Sequence, residues 1–409
     1  MSISRVFIPF ALGYFLSYLV RVVNAVIAPD LVRDLGLTAA DLGLLTSANF
    51  LAFAAAQLPL GILLDRFGPR KTESALLLFA AAGCLLFATA HSIPGLITGR
   101  ALIGFGTSAC LMAAFKAYVL WVPGERIPMV NGLQMAIGGL GAVTGTVPVE
   151  MVLTVTDWRG LFTMFAGFAL FAAVVLYFTV PRREGGDGVP DTIKNQIAGI
   201  GQVFRSPQFW RIAPMTIASQ SMFLGTQSLW SGPWLGDVAG LPRNTVAENL
   251  LWIAISMVAG FLGMGTIADR LGRLGVQTIR VAFTGMAVFA IVQIPMTLQW
   301  TGAVLPMWML FGFFGTAGIL SYAALPRYFP PEMAGRVITG LNVFTFGGAF
   351  AAQWGMGLII NLWPAPEGMG GTIIGGGYAP EGYQAAFAVM TVLQVLALTW
   401  FVMFRRGRL

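Results

Sequence analysis

Apolar residues form long runs along this chain, and short polar segments rich in glycine, proline and arginine separate them. A helix that crosses a membrane needs about 20 predominantly apolar residues. Glycine-rich stretches are compatible with such helices, because small residues let them approach closely. The pattern predicts an all-α membrane protein with twelve transmembrane helices, near residues 6–28, 43–63, 73–90, 95–121, 128–154, 159–180, 209–232, 247–267, 278–298, 305–325, 336–361 and 383–404.

The composition excludes a soluble fold. Of the 409 residues, 57% are hydrophobic and only 10% are charged, whereas soluble domains carry about 25% charged residues. The net charge of +7 would suit a nucleic-acid-binding protein, but the basic residues punctuate the apolar runs and form no stripe. We therefore expect the lipid bilayer, and no nucleic acid, as a partner. Cys84 and Cys110 have no histidine or cysteine at ligand spacing, so we expect no metal and no cofactor.

Lysine and arginine residues predict the orientation, because they accumulate in cytoplasmic loops. If the N-terminus is cytoplasmic, most basic residues outside the spans fall in the inner loops. The outer side then keeps only Arg33, Arg100, Arg159 and Arg243. We expect a multi-pass protein of the inner (plasma) membrane, with both termini cytoplasmic, that works as a monomer.

The chain repeats itself around a polar central segment. Residues 181–207 are rich in glycine and charge and are typical of a cytoplasmic linker, which separates an N-terminal half (1–180) from a C-terminal half (208–409). Asp65 recurs as Asp269, an offset of 204 residues (269 − 65), and several flanking residues recur at the same offset. Such a repeat predicts two six-helix pseudo-repeats with a substrate site at their interface.

Two sequence motifs carry a family resemblance. The segment Gly61-Ile-Leu-Leu-Asp65-Arg66-Phe-Gly68-Pro-Arg70-Lys71 and its second copy, Gly265-Thr-Ile-Ala-Asp269-Arg270-Leu-Gly272-Arg273, resemble the inner-loop signature of the major facilitator superfamily. The fourth span begins Arg100-Ala-Leu-Ile-Gly104-Phe-Gly106, which is similar to a second signature of that family. The resemblance implies a transporter that works by alternating access, with gating residues Asp65, Arg66, Arg70, Asp269, Arg270, Arg273 and Arg100.

Arg21 is the most informative candidate for substrate binding. It lies eight residues before Pro29, so about 12 Å of helix separates it from the outer end of the first span. A charge at that depth costs about 2.5–3.5 kcal/mol on insertion scales and must face a cavity or a partner. The carboxylates of the sequence lie in loops or near span ends, and Glu73 lies near the inner end of its span. We infer that the substrate supplies the counter-charge; the alternative is a structural ion pair.

Neighbouring residues extend this candidate site. Tyr14, Tyr18 and Arg21 share one helix face. The stretch Tyr18-Leu-Val-Arg21 resembles the first span of organophosphate:phosphate antiporters, where tyrosines and an arginine face the substrate. That family's second arginine, on the seventh span, has no counterpart here, and one arginine suits a monoanion such as a carboxylate. The other candidates are Asn24, Gln57, Lys116, Gln134, Gln220, Gln227, Trp230, Trp234 and Asn342. Each could instead serve helix packing, and Lys116 could snorkel to the inner interface.

These observations predict a secondary active transporter of a small organic anion. The alternatives are a multidrug or other small-solute exporter of the same superfamily and, from another class, a membrane-embedded enzyme or receptor. The fifth span lacks the Gly-Pro-x-x-Gly-Gly signature of drug/proton antiporters, and an enzyme should show a nucleophile with a base or a metal cluster. Because the spans show no mid-membrane carboxylate, we expect anion exchange or a proton that travels with the substrate. Glu150 and Glu248 are the acids left as outer proton sites.

Overall fold

The computed structural model describes residues 3–181, 199, 201–364 and 377–404, and all regular secondary structure in them is helical. In the N-terminal half, the α-helices are Ser4–Val22, Asn24–Leu35, Ala39–Thr89, Ile93–Thr107, Cys110–Trp121, Ile127–Thr144, Val147–Leu153 and Trp158–Thr179, with a 3₁₀ turn at Gly124–Arg126. In the C-terminal half, they are Pro207–Gly225, Ser231–Asp237, Arg243–Arg273, Thr278–Thr297, Val304–Gly315, Ile319–Ala324, Ala334–Ile360 and Pro380–Met403. A π-helix covers Thr226–Trp230, and 3₁₀ turns cover Thr316–Gly318, Leu325–Tyr328 and Pro331–Met333.

The helices account for the twelve predicted spans. Nine helical segments of the described residues are long and apolar enough to cross a membrane. The 51-residue helix Ala39–Thr89 holds two spans, the bent pair Gly124–Thr144 and Val147–Leu153 gives one more, and segment 207–237 gives another. Nine and these three additions make twelve, so the all-α fold is confirmed. In chain order, the first to twelfth spans cover residues 4–35, 39–67, 69–89, 93–121, 127–153, 158–179, 207–237, 243–273, 278–297, 304–328, 334–360 and 380–403.

A glycine makes the turn between the second and third spans. Gly68 has φ +73° and ψ 164°, a conformation that only glycine adopts without strain. Gly68 belongs to the first motif copy, so this motif contains the turn between the two spans. Gly272, the matching glycine of the second copy, has no positive φ; the positive φ (+83°) belongs to Gly275, two residues after that copy ends. The two copies therefore repeat in sequence without repeating the same backbone turn.

The chain divides into two compact units that do not follow the sequence halves throughout. The first comprises Met1–Asn24 and Ala48–Gln196, and the second comprises Ala25–Ser47 and Ile197–Leu409. The backbone at the start of Ala25–Ser47 packs closely against Gly232 of the same unit. A Cβ on Gly232 would lie 1.9 Å from the carbonyl oxygen of Ala25. Most of the predicted linker, 181–207, lies outside the described residues, and the domain boundaries stay a prediction.

Each unit has its own core and an apolar outer surface. The first unit buries a cluster around Phe10, Leu76 and Tyr118, and the second buries one around Phe209 and Met286. Many large apolar side chains nevertheless stay exposed, among them Leu170, Phe171, Phe178, Val392, Leu393 and Leu396. An exposed apolar surface of this extent requires an apolar solvent, which a bilayer supplies.

Candidate functional site

Arg21 lies among aromatic rings in the first unit. Its side chain is only 8% exposed. Its Cζ atom is 4.8 Å from the centroid of the Tyr18 ring and 5.5 Å from that of Phe53 on the second span. The Tyr14 ring contacts the Tyr18 ring at a centroid distance of 5.2 Å. The structure thus brings the predicted residues Tyr14, Tyr18 and Arg21 together and adds Phe53 to them.

Arg21 sits where the first span is interrupted. One helix ends at Val22 and the next begins at Asn24, whose side-chain amide donates a hydrogen bond of 3.2 Å to the carbonyl of Arg21. Val23 between them keeps helical backbone angles (φ −52°, ψ −26°) and donates to the carbonyl of Leu19 at 3.1 Å, so the interruption is a one-residue irregularity within one span. The predicted residue Asn24 therefore supports the backbone of Arg21.

Arg100 supports the same stretch from the fourth span. It is fully buried, donates a 3.1 Å hydrogen bond to the carbonyl of Val20, and its Cζ atom lies 4.4 Å and 4.7 Å from the ring centroids of Phe87 and Phe162. The two rings also contact each other at a centroid distance of 4.5 Å, so the guanidinium packs against the pair and is stabilised by the ring quadrupoles. These contacts belong to one unit and hold the backbone next to Arg21. The gating role predicted for Arg100 stays a prediction.

The second span presents buried amides beside the arginine site. Asn49, Phe53 and Gln57 recur every four residues and follow one helix face. Asn49 and Gln57 are each 4% exposed. Within the described part of the chain, Asn49 Oδ1 is buried without a hydrogen-bond partner. A buried acceptor without a partner is costly, which makes this face a suitable place for a ligand donor.

The inner-loop motif is held by contacts inside the first unit. Lys116 forms an ion pair with Asp65, so this predicted substrate residue contacts a predicted gating residue. Arg70 donates a 2.7 Å hydrogen bond to the carbonyl of Tyr177 and stacks on its ring at 4.6 Å. Arg66 stacks on the adjacent Phe67 at 5.3 Å.

The second copy of the motif is more loosely held. Asp269 and Arg273 are 3.8 Å apart, with side chains 80% and 83% exposed, and Arg270 is also exposed. An ion pair with this exposure contributes little. The two copies of the motif are therefore unequal in their contacts, although their sequences match.

The aromatic and amide residues predicted on the seventh span are buried in the second unit. Trp230 and Trp234 are fully buried. The indole N–H of Trp230 donates to the carbonyl of Gln353 (2.9 Å), and the Trp234 ring packs on Trp308 at 5.4 Å. Gln227 donates to the sulfur of Met257 at 3.0 Å. Residues 226–230 form a π-helix, a feature that often marks functional positions in helices.

The remaining predicted amides, Gln134, Gln220 and Asn342, have neighbours of their own. Gln134 accepts a 2.7 Å hydrogen bond from Tyr118 and donates to the carbonyl of Phe10. Gln220 donates to the carbonyl of Gly315 at 2.8 Å. Asn342 is 9% exposed on the eleventh span. The bonds of Gln134 and Gln220 join helices within a unit, as polar residues in membrane proteins commonly do.

An ion pair that the sequence reasoning missed joins the first and eighth spans. Asp30 accepts hydrogen bonds of 2.8 Å and 2.6 Å from two nitrogens of Arg243, and Arg33 adds a 2.9 Å contact. The Asp30 side chain is 9% exposed. Pairing across 213 residues cannot be read from local spacing, although Asp30 and Arg243 both flank predicted outer ends of spans.

A second missed cluster surrounds Asp237 at the end of the seventh span. Its carboxylate accepts hydrogen bonds from Tyr383 Oη (2.6 Å) and from the backbone N–H groups of Gly377 (3.0 Å) and Tyr378 (3.2 Å). Tyr378 in turn donates to the carbonyl of Leu37 at 3.2 Å. Burial raises the pKa of Tyr378 above its ordinary value, and the nearby carboxylates Asp237 and Asp41 act in the same direction. Tyr378 therefore keeps its proton as a donor at neutral pH.

Comparisons with known proteins agree with this architecture. Residues 10–353 match the family described as Major Facilitator Superfamily. The chain is 26% identical to a probable sulfoacetate transporter of Cupriavidus necator over 304 residues, which covers 70% of each protein. It is 26% identical to the oxalate:formate antiporter of Oxalobacter formigenes, covering 85% of this chain and 79% of that one. It is 34% identical over 130 residues to a nitrate/nitrite transporter of Picosynechococcus, covering 32% of this chain and 24% of that protein.

The fold is also that of solved transporters. A bacterial homologue of the human lysosomal transporter Spinster, crystallised in an inward-facing and unoccupied conformation, superposes with a TM-score of 0.79 at 16% identity. The match covers 98% of this chain and 97% of the homologue. These similarities confirm the predicted transporter and rule out the alternative of a membrane-embedded enzyme.

Proposed function

Because the chain belongs to the Major Facilitator Superfamily, we propose that it is a secondary transporter that moves a small organic anion, in particular a carboxylate, by alternating access. The observation that carries this proposal is the buried guanidinium of Arg21, 8% exposed within a membrane-spanning helix. A cation at such a position is expensive and is found where a membrane protein binds or conducts charge.

The environment of Arg21 suits a planar anion. The rings of Tyr18 and Phe53 lie within 5.5 Å of its Cζ atom. Aromatic rings stabilise a guanidinium through its face, while the N–H groups in the plane remain the donors for a carboxylate. Two parallel N–H···O bonds would then fix both the charge and the orientation of the substrate.

The relatives support the same class of substrate by their names. The sulfoacetate transporter and the oxalate:formate antiporter each handle carboxylates. Nitrate, named for a third relative, is also a small planar oxyanion. A buried arginine stacked on aromatic rings fits this shared chemistry and does not fit an organic cation.

The sidedness follows from the basic residues of the loops. The excess of Lys and Arg lies on the side of the chain termini, which supports cytoplasmic termini in the plasma membrane. The alternating-access cycle needs only one chain, and we propose a monomer.

Transport by purified protein in proteoliposomes tests the proposal. We expect uptake of a radiolabelled carboxylate by the wild type, loss of uptake in Arg21→Gln, and partial recovery in Arg21→Lys, because an ammonium carries the charge without the planar pair of donors. Thermal-shift measurements with carboxylates and amines should show stabilisation by carboxylates only.

Arg211→Gln is the matched control. Arg211 is also an arginine in a span, but it belongs to the second unit. Its Cζ atom lies 5.3 Å from the Phe401 ring centroid of the same unit. Its loss should lower the melting temperature without abolishing uptake. Equal loss of uptake in both variants, or normal uptake in Arg21→Gln, would contradict the proposal.

A further inference from the structure

The third span carries a glutamate that is fully buried. Glu73 lies five residues after the turn at Gly68 and has 0% exposure. Neither carboxyl oxygen has a nitrogen or oxygen hydrogen-bond partner in the described part of the chain. Glu73 lies about one turn after the start of the third span at residue 69, as near the inner end as the sequence indicates, and its side chain is enclosed by the first unit.

The carboxyl group packs directly against the backbone of the first span. A Cβ atom on Gly13 would lie 2.3 Å from Glu73 Oε1 and 3.5 Å from Cys110 Sγ of the fourth span. The glycine therefore leaves the space that the carboxyl group occupies. A thiol is a weak donor and does not compensate a carboxylate charge.

Among the residues that the structure describes, no cation contacts Glu73, and Lys71, two residues before it, is exposed. From the fourth span, Cys110 and Tyr118 are within electrostatic range of the carboxyl group. From the first span, Tyr14 and Arg21 interact with Cys110. On its own helix, the nearest arginine in sequence is committed elsewhere, because Arg70 bonds to the carbonyl of Tyr177.

Burial of a carboxylate ion without a partner costs far more than burial of the neutral acid. We propose that Glu73 is a proton-binding site: it holds a proton while Gly13 packs over it and releases that proton to water when the first span moves away. The reaction is the simple exchange of one proton between the carboxyl group and water. This inference rests on the proposed function, to which it adds the coupling ion.

The first span links this site to Arg21. Pro9 lies within its first helix, where it donates no hydrogen bond and favours a kink, so the segment from Pro9 to Arg21 can tilt about this point. Gly13 and Arg21 both belong to that segment, eight residues or about 12 Å apart. A shift that exposes Glu73 also moves Arg21. Co-movement of one proton with one monoanion transfers no net charge.

Proteoliposomes with an imposed pH gradient test this assignment. With one proton per anion, a gradient of one pH unit supports about tenfold accumulation of the anion in the wild type. Glu73→Gln mimics the neutral acid and should keep anion exchange in counterflow while accumulation falls to about the equilibrium ratio of one. Glu332→Gln, which changes an exposed acid in the turn Pro331–Met333, should accumulate like the wild type.

Two further measurements separate the possible failures. Arg21→Gln should lose both exchange and accumulation, whereas Glu73→Gln should lose accumulation alone. Infrared spectra of the protein at neutral pH should show a protonated carboxyl band that Glu73→Gln lacks, whatever the substrate. Wild-type accumulation by Glu73→Gln, loss of its exchange together with its fold, or absence of that band would each overturn the proton-binding role.

Discussion

The ion pair between Asp30 and Arg243 gives the sharpest prediction about conformation. It joins the first span to the beginning of the eighth, so it must break whenever these helix ends separate. Asp30 is nearly buried at 9% side-chain exposure and receives two hydrogen bonds from Arg243, which is 35% exposed. We expect Asp30→Asn to favour the state in which these ends are apart.

The magnitude follows from burial. Removing one partner of a fully buried pair costs about 3–5 kcal/mol. Because a third of Arg243 is exposed to solvent, we discount this to about 1.5 kcal/mol. A change of that size shifts a two-state equilibrium by about tenfold.

Maleimide labelling of a buried reporter cysteine measures this shift. Both native cysteines are buried. Ser231→Cys places a third cysteine at a fully buried serine of the seventh span, and its thiol reacts with maleimide when the helices open. Its labelling rate should rise about tenfold with Asp30→Asn. Asp34→Asn is the matched control, because its side chain is 40% exposed beside Arg33. Unchanged labelling in Asp30→Asn, or an equal rise in the control, would show that the Asp30–Arg243 pair does not hold these helix ends together.

Three further variants test other contacts. Asp65→Asn should slow transport without weakening substrate binding, and it should slow transport more than Asp269→Asn does. The reason is that Asp65 pairs with Lys116 on another helix, whereas Asp269 is 80% exposed. Uptake rates and equilibrium binding of both variants check this. Gly13→Ala should lower stability by about 1–3 kcal/mol, because its Cβ would overlap Glu73 Oε1, whereas Gly167→Ala meets nothing within 4 Å; melting temperatures compare them, and equal values would contradict the contact. Arg100→Lys should lower the melting temperature and the affinity for carboxylates, because an ammonium loses the planar contact with the rings of Phe87 and Phe162. Unchanged affinity would show that Arg21 needs no support from Arg100.

Hydrophobic patterning predicts the membrane spans because lipid imposes a length on every crossing helix. The predicted spans 159–180 and 278–298 correspond to helices Trp158–Thr179 and Thr278–Thr297. The pattern also predicts that Tyr14, Tyr18 and Arg21 share a face, since this depends on helical periodicity alone. Both successes concern quantities that are local along the chain.

Lateral neighbours are not local, and there the sequence reasoning reaches its limit. Lys116 could be assigned to a depth but not to its partner, because Asp65 lies 51 residues away on another helix. The third span begins at residue 69, four residues before its predicted start at residue 73. The burial of Glu73 comes from packing against Gly13 of the first span and Cys110 of the fourth, which the position along its own span does not predict.

Arg21, Arg100 and Glu73 show how the sign of a buried charge determines what can stabilise it. Aromatic rings present a negative face, so Arg100 packs against Phe87 and Phe162, and Arg21 packs against Tyr18 and Phe53. A carboxylate gains nothing from such faces and needs donors or a cation. Within the described residues, the carboxyl oxygens of Glu73 meet no cation, and the donor beside them is the weak thiol of Cys110. The aromatic composition that suits this unit to hold arginines and bind anions therefore leaves a proton as the counter-charge for its buried glutamate.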